Sequence, residues 1–228
     1  MRPDEELPGL DRLMEVCRRL NLRLETTPPS HSPLQAGFLI EGLPFDPVLA
    51  ALYSRLGFAA FATDVGGIVL HPLEDNDRQL EEQNRWWSEG YRQQLALPTL
   101  VFAGEPHLAY HYATVPALAD EQGRQPVVWV DVYEEKYALP VASNVDLFFE
   151  AYSRYLEALM VIPNAREEHG ALLAFPWEVP NIMSRDSNLV ADIRAGHFDV
   201  LMPGTEERAW ARKVSAAGSP RVRMLPRA

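Results

Sequence analysis

Apolar positions along this chain alternate between a helical period and short continuous runs, and the switches mark out its elements. Leu10, Leu13, Met14, Cys17 and Leu20 recur at helical spacing and predict an amphipathic helix over Asp11–Leu20. Asp46–Pro47 supplies a carboxylate N-cap and a proline at the first helical position. The helix that follows buries Val48, Leu49, Leu52, Tyr53 and Leu56, and Gly57 ends it. Asn76 can cap a longer helix, Asp77–Leu95, on which Leu80, Asn84, Trp87, Tyr91 and Leu95 share a face. Trp86 lies about a hundred degrees round from Trp87. Trp87 is therefore assigned to the core, and Trp86 stays open between core and surface.

The short runs read as strands. Phe38–Ile40 is one, and Phe58–Thr63 with Ile68–His71 forms a hairpin through Asp64–Gly67. Leu100–Ala103 and Leu108–Ala113 flank the turn Gly104–His107. Val127–Val132 is apolar up to Asp131 and rich in β-branched valine, as a strand near the middle of a sheet would be. After the acidic turn Glu134–Glu135, Tyr137–Ala142 reads as an edge strand. Ser143 with Asp146 makes a capping pattern. It opens an aromatic helix, Val145–Leu159, whose face carries Phe148, Phe149, Tyr152 and Tyr155. Thr26–Pro33 reads as a linker. Beyond Pro163 prolines punctuate the chain, with helices expected at Ser187–Arg194 and Thr205–Ala217.

The predicted fold class is α+β: a mixed, mainly antiparallel sheet flanked by helices, with a helical and irregular C-terminal extension. The 228 residues divide into a domain at 1–163 and an extension at 164–228 packed on it. A net charge of −11 argues against nucleic acid as a partner, which needs a basic footprint. One cysteine, Cys17, excludes an internal disulfide, and its place on the apolar stripe predicts an inert thiol. The acidic start lacks an apolar signal region, and no apolar run approaches the ~20 residues of a membrane span. A cytoplasmic protein without membrane contact is expected.

Little in the sequence is arranged for catalysis. His107 and His111 sit four apart, but on a strand that spacing is about 13 Å, too far for one ion held at ~2 Å from each nitrogen. The acid doublets point apart and read as solvated faces. The Gly-x-Ser-x-Gly elbow and the phosphate-loop signatures do not occur. No catalytic residue, cofactor or metal is predicted.

Leu43–Pro44, the helix ending at Leu56–Gly57, Leu100–Val101–Phe102–Ala103, Pro126–Asp131 with its acidic loop, and the run Val141–Phe149 follow one another in a recognisable order. Through them the stretch Leu43–Leu159, about half the chain, resembles the SMI1/KNR4 (SUKH) superfamily. The resemblance implies a mixed sheet flanked by helices and a binding role: many bacterial members look like immunity proteins that neutralise a secreted nuclease or deaminase toxin, and fungal members are interaction proteins.

Charge sharpens that expectation. Between Asp64 and Glu89 seven acids face only Arg78 and Arg85. The predicted partner surface is Glu74, Asp75, Asp77, Glu81, Glu82, Trp86, Glu134 and Glu135, meeting a cognate basic toxin. Two alternatives stand beside it: a scaffold or regulator of the same fold, and an enzyme joining acids and a histidine from separate loops.

Overall fold

The computed structural model describes residues 6–29, 37–73, 80–90, 95–106, 108–133 and 137–218. In chain order the first half holds α1 (Pro8–Arg19), β1 (Leu24–Thr27), β2 (Leu39–Ile40), β3 (Leu43–Pro44), α2 (Pro47–Arg55), β4 (Phe58–Phe61), β5 (Ile68–Leu70) and α3 (Leu80–Gly90). The second half holds β6 (Leu100–Gly104), β7 (Tyr110–Thr114), β8 (Val127–Asp131), β9 (Tyr137–Ala142), α4 (Val145–Leu159), α5 (Pro180–Met183), α6 (Ser187–Arg194) and α7 (Thr205–Ala217). The fold is α+β. Seven strands form one sheet in the order β1-β4-β5-β6-β7-β8-β9, and every pairing in it is antiparallel.

The sheet is covered on both faces, and two adjacent residues of β7 prove it. Successive side chains on a strand point to opposite faces. Tyr112 packs on Phe148 of α4, with ring centroids 4.7 Å apart, while His111 packs on Trp87 of α3 at 5.3 Å. Helix α1 lies along α4, so these two form one outer layer. Phe102 and Phe61 meet Phe148 and Phe149 of α4 from the sheet side. Burial pushes the Cys17 thiol up to about 11, which makes it an inert core group.

Shared carboxylates tie the layers together. Asp46 caps α2 through Leu49 N–H and also accepts the distant Gln125 N–H at 2.6 Å. Asp186 caps α6 and accepts from Ser143 N–H and Oγ. Helix α4 is capped by Asn144, which accepts from Leu147 N–H at 3.0 Å, rather than by Ser143. Asp146 turns instead to α1, whose own N-cap, Leu7, has no side-chain oxygen. Its two carboxylate oxygens accept from Gly9 and Leu10 N–H at 3.0 and 3.1 Å. A Cβ at position 9 would stand 2.0 Å from the Asp146 carbonyl oxygen, so glycine is what lets the two helices meet.

Some expectations shift. Leu24–Thr27 pairs with β4 as a strand, where the sequence suggested a linker from Thr26. Leu95 already lies in a bend rather than at the end of α3, and Asn76 and Asp77 fall outside the described residues. Pro140 stands on the last strand of the sheet, opposite a bulge at Val127/Val128, where a missing N–H is tolerated. Helix α6 and the turn Asp199–Leu201 lie along that strand, and α7 packs on α5 and α6. Trp210 is buried and donates from Nε1 to the Pro176 carbonyl at 3.0 Å. Among the described residues no helix is long and apolar enough to cross a membrane.

Candidate functional site

Two surfaces stand out, one on each face of the sheet. The first is a cavity of about 640 Å³ on the α4 face, between the ends of β6–β8, the helix α4 and the loop 168–177. Its walls are aromatic because the strand pattern puts large rings on one face. Tyr110 packs on Trp129 at 4.8 Å, and Trp129 reaches Tyr137 at 6.0 Å, whose ring meets Trp177 at 5.9 Å. Tyr152 and Tyr155 of α4 each contact Phe175 at 5.2 Å.

The loop over the cavity is held at several points. Tyr155 Oη donates to the Leu173 carbonyl at 3.0 Å, and Arg166 joins Asp64 at 2.8 Å and the Leu20 carbonyl at 2.6 Å. Gly170 has φ +80°, and a Cβ there would lie 2.1 Å from the Val65 carbonyl oxygen. Only glycine fits that approach without strain.

Into this ring-lined space projects Glu105, from the turn that ends β6. Its Oε1 accepts from Tyr112 Oη at 2.8 Å and from Trp129 Nε1 at 3.4 Å. Burial raises its carboxyl from the ordinary 4.5 to about 7, and the two hydrogen bonds only partly oppose this. Burial and the neighbouring Asp131 and Glu105 carboxylates raise Tyr110 as well. Asp131 lines the same cavity, accepting from Tyr133 N–H at 2.8 Å, and Glu168 and His169 close its outer side. A half-buried acid at about 7 is suited either to proton exchange or to meeting a cation. Sequence reasoning missed this site. Glu105 reads as an ordinary turn residue and Tyr152 and Tyr155 as core, and only the folded strands bring them together.

The second surface is the outer side of α3, on the opposite face. Trp87 is buried and donates from Nε1 to Thr99 Oγ1 at 2.9 Å, whereas Trp86 is 47% exposed. Its ring leans toward His111, with centroids 6.4 Å apart. Burial drives the His111 imidazole down to about 4, so Trp86 leans on a neutral ring. Glu82, Trp86 and Glu89 follow one another at helical spacing along the exposed side, with Glu81 beside them. Arg85 turns toward Glu41 at 3.7 Å. Of the predicted partner surface, Glu81, Glu82 and Trp86 therefore share one exposed helix. Glu74, Asp75, Asp77, Glu134 and Glu135 lie outside the described residues. His107 does too, and His111 faces the tryptophans of α3.

Among the described residues no three acids, histidines or cysteines gather as a metal cluster would require. No protein-family model, curated protein or solved structure matches this chain.

Proposed function

We propose that this protein is a non-catalytic immunity protein that binds a cognate basic toxin, nuclease- or deaminase-like, in the cytoplasm and blocks its substrate groove. The observation that carries the reading is Trp86, 47% exposed on a helix whose outer side bears Glu81, Glu82 and Glu89. Tryptophan is among the side chains that dominate binding energy at the centre of interfaces, and acids around it favour a basic partner. The resemblance over Leu43–Leu159 supplies the kind of partner. The net charge of −11 supplies attraction at long range, which raises the association rate and is screened by salt.

Co-expression with the product of the neighbouring upstream gene, which the reading expects to be a basic toxin, tests it. Wild type restores growth, and the double variant Trp86→Ala, Glu82→Lys loses that protection while remaining folded. The association rate falls by about tenfold or more from low to high salt. Failure of the wild type to protect sinks the immunity reading. Binding without protection leaves a scaffold of the same fold.

One observation favours a second reading: Glu105, at about 7, shares its cavity with His169, the pairing of acid and histidine from separate loops that an acid–base enzyme would use. Turnover of an ester or glycoside substrate that disappears in Glu105→Gln supports it. Turnover that survives the substitution counts against it.

A further inference from the structure

The cavity under the loop 168–177 plays no part in toxin binding through α3, since the sheet separates the two. At about 640 Å³ it is within the range of small-molecule sites, roughly 300–1,000 Å³. Among the described residues its charged lining is Glu105, Asp131 and Glu168, with His169 as the basic group. An anion entering would meet carboxylates and the negative faces of aromatic rings. A hard metal ion would need several oxygen ligands where the walls offer rings. A cation spread over carbon and nitrogen meets neither obstacle, because ring quadrupoles and carboxylates both attract it.

We propose that this cavity binds an organic cation, a protonated amine, quaternary ammonium or guanidinium group, seated on the rings of Tyr110, Trp129 and Trp177 with Glu105 and Asp131 as its counter-charges. The geometry of Glu105 suits the role. Both of its side-chain hydrogen bonds fall on Oε1, and among the described residues Oε2 accepts none while the side chain lines the cavity. The donors Tyr112 and Trp129 fix the carboxylate, leaving its second oxygen for a ligand. An entering cation restores the ionised state that burial disfavours and releases a proton as it does so.

Affinity therefore rises with pH as Glu105 ionises. Among the described residues the other titratable groups facing it are Tyr110 and Tyr112 from β7, Asp131 from β8, Tyr152 and Tyr155 from α4, and Glu168 and His169 from the loop. Burial raises all four tyrosines, so they stay neutral across this range.

The test is calorimetric titration of the full chain with choline, agmatine and a short blocked peptide bearing one arginine. The neutral choline isostere 3,3-dimethylbutanol serves as control. At least one cation saturates the protein at roughly millimolar concentration or below, and the isostere does not. Glu105→Gln keeps the Tyr112 contact and weakens binding by about tenfold or more, while Trp86→Ala leaves it unchanged. Affinity increases several-fold from about pH 6 to about pH 8. Saturation by choline or agmatine identifies a free small cation, and saturation by the peptide alone identifies a basic side chain of a protein partner. The proposal is overturned if none of the three saturates, if the isostere binds equally, or if a folded Glu105→Gln variant binds as wild type does. These outcomes are independent of growth rescue, so failure here and failure of the immunity reading are separable.

Discussion

At the scale of single residues, the two groups whose protonation the fold changes most usefully lie on opposite faces and pull stability in opposite directions. Glu105 rises from 4.5 to about 7. Between those values the folded chain keeps a proton that the unfolded chain has lost, so its contribution to stability declines as pH rises through the window and is level above it. His111 falls from 6.5 to about 4. There the unfolded chain holds the extra proton, so stability from His111 grows as pH rises over that range. The wild-type profile thus mixes two opposing slopes, and only the comparison with Glu105→Gln separates them. The melting temperature of the variant minus that of wild type should grow from about pH 4.5 to about pH 7 and then stay constant. A difference independent of pH would mean that Glu105 ionises in the folded chain as it does in water. Neither effect is legible in the sequence, because both depend on what surrounds the side chain, and the rings around Glu105 come from β7, β8 and α4.

Among elements, the regular periods were readable and the exceptions to pairing were not. Strand β9 and helices α4, α6 and α7 have the bounds read from the sequence, because the period of their apolar residues matches the face that each one buries. Strand β1 has no such pattern, because its residues are mostly exposed and only its register with β4 defines it. The polar member of the α3 stripe, Asn84, explains itself only in three dimensions. Strand β5 pairs with Ala103 and Gly104 of β6, so Val101 lies past its end. The Asn84 side chain takes the place of the missing strand: Nδ2 donates to the Val101 carbonyl at 2.7 Å, and Oδ1 accepts from Val101 N–H at 2.8 Å. A second contact from Nδ2 to the Leu80 carbonyl fixes its rotamer. Asn84→Leu fills the volume but strands a buried donor and acceptor, at about 1–3 kcal/mol for each. Urea unfolding should show a lower midpoint with an unchanged slope, corresponding to roughly 2–6 kcal/mol. A loss below about 1 kcal/mol would show that water or a backbone shift replaces the amide.

At the scale of the whole molecule, the C-terminal third shares a hydrophobic core with the sheet. Val179, Met183, Leu201 and Trp210 belong to the same hydrophobic cluster as Trp129 and Phe148. Tyr112, at the centre of the sheet, touches Phe175 with ring centroids 6.1 Å apart. The carboxylate of Asp186 holds Ser143 at the junction of β9 and α4, so the start of the main aromatic helix is fixed from the C-terminal side. The same third also covers the edge of β9, an apolar strand that would otherwise offer unpaired backbone groups to another chain. These contacts make a specific demand on the fragment 1–163, which contains every strand among the described residues and would be a domain if the extension were merely docked. It should express poorly or bind a hydrophobic dye, because removing the loop and α5–α7 bares Tyr152, Tyr155 and the β9 edge together. In the full chain, amides of α7 and α4 should exchange hydrogen with the same free energy of opening, and one cooperative transition should be seen by fluorescence and by circular dichroism alike. A soluble fragment 1–163 that unfolds cooperatively, with α7 of the full chain melting at a lower temperature than the sheet, would overturn this. The cation cavity depends on the same shared core, since four of its rings come from the strands and α4 and two, Phe175 and Trp177, from the C-terminal third. Any truncation that removes that third removes the cavity with it.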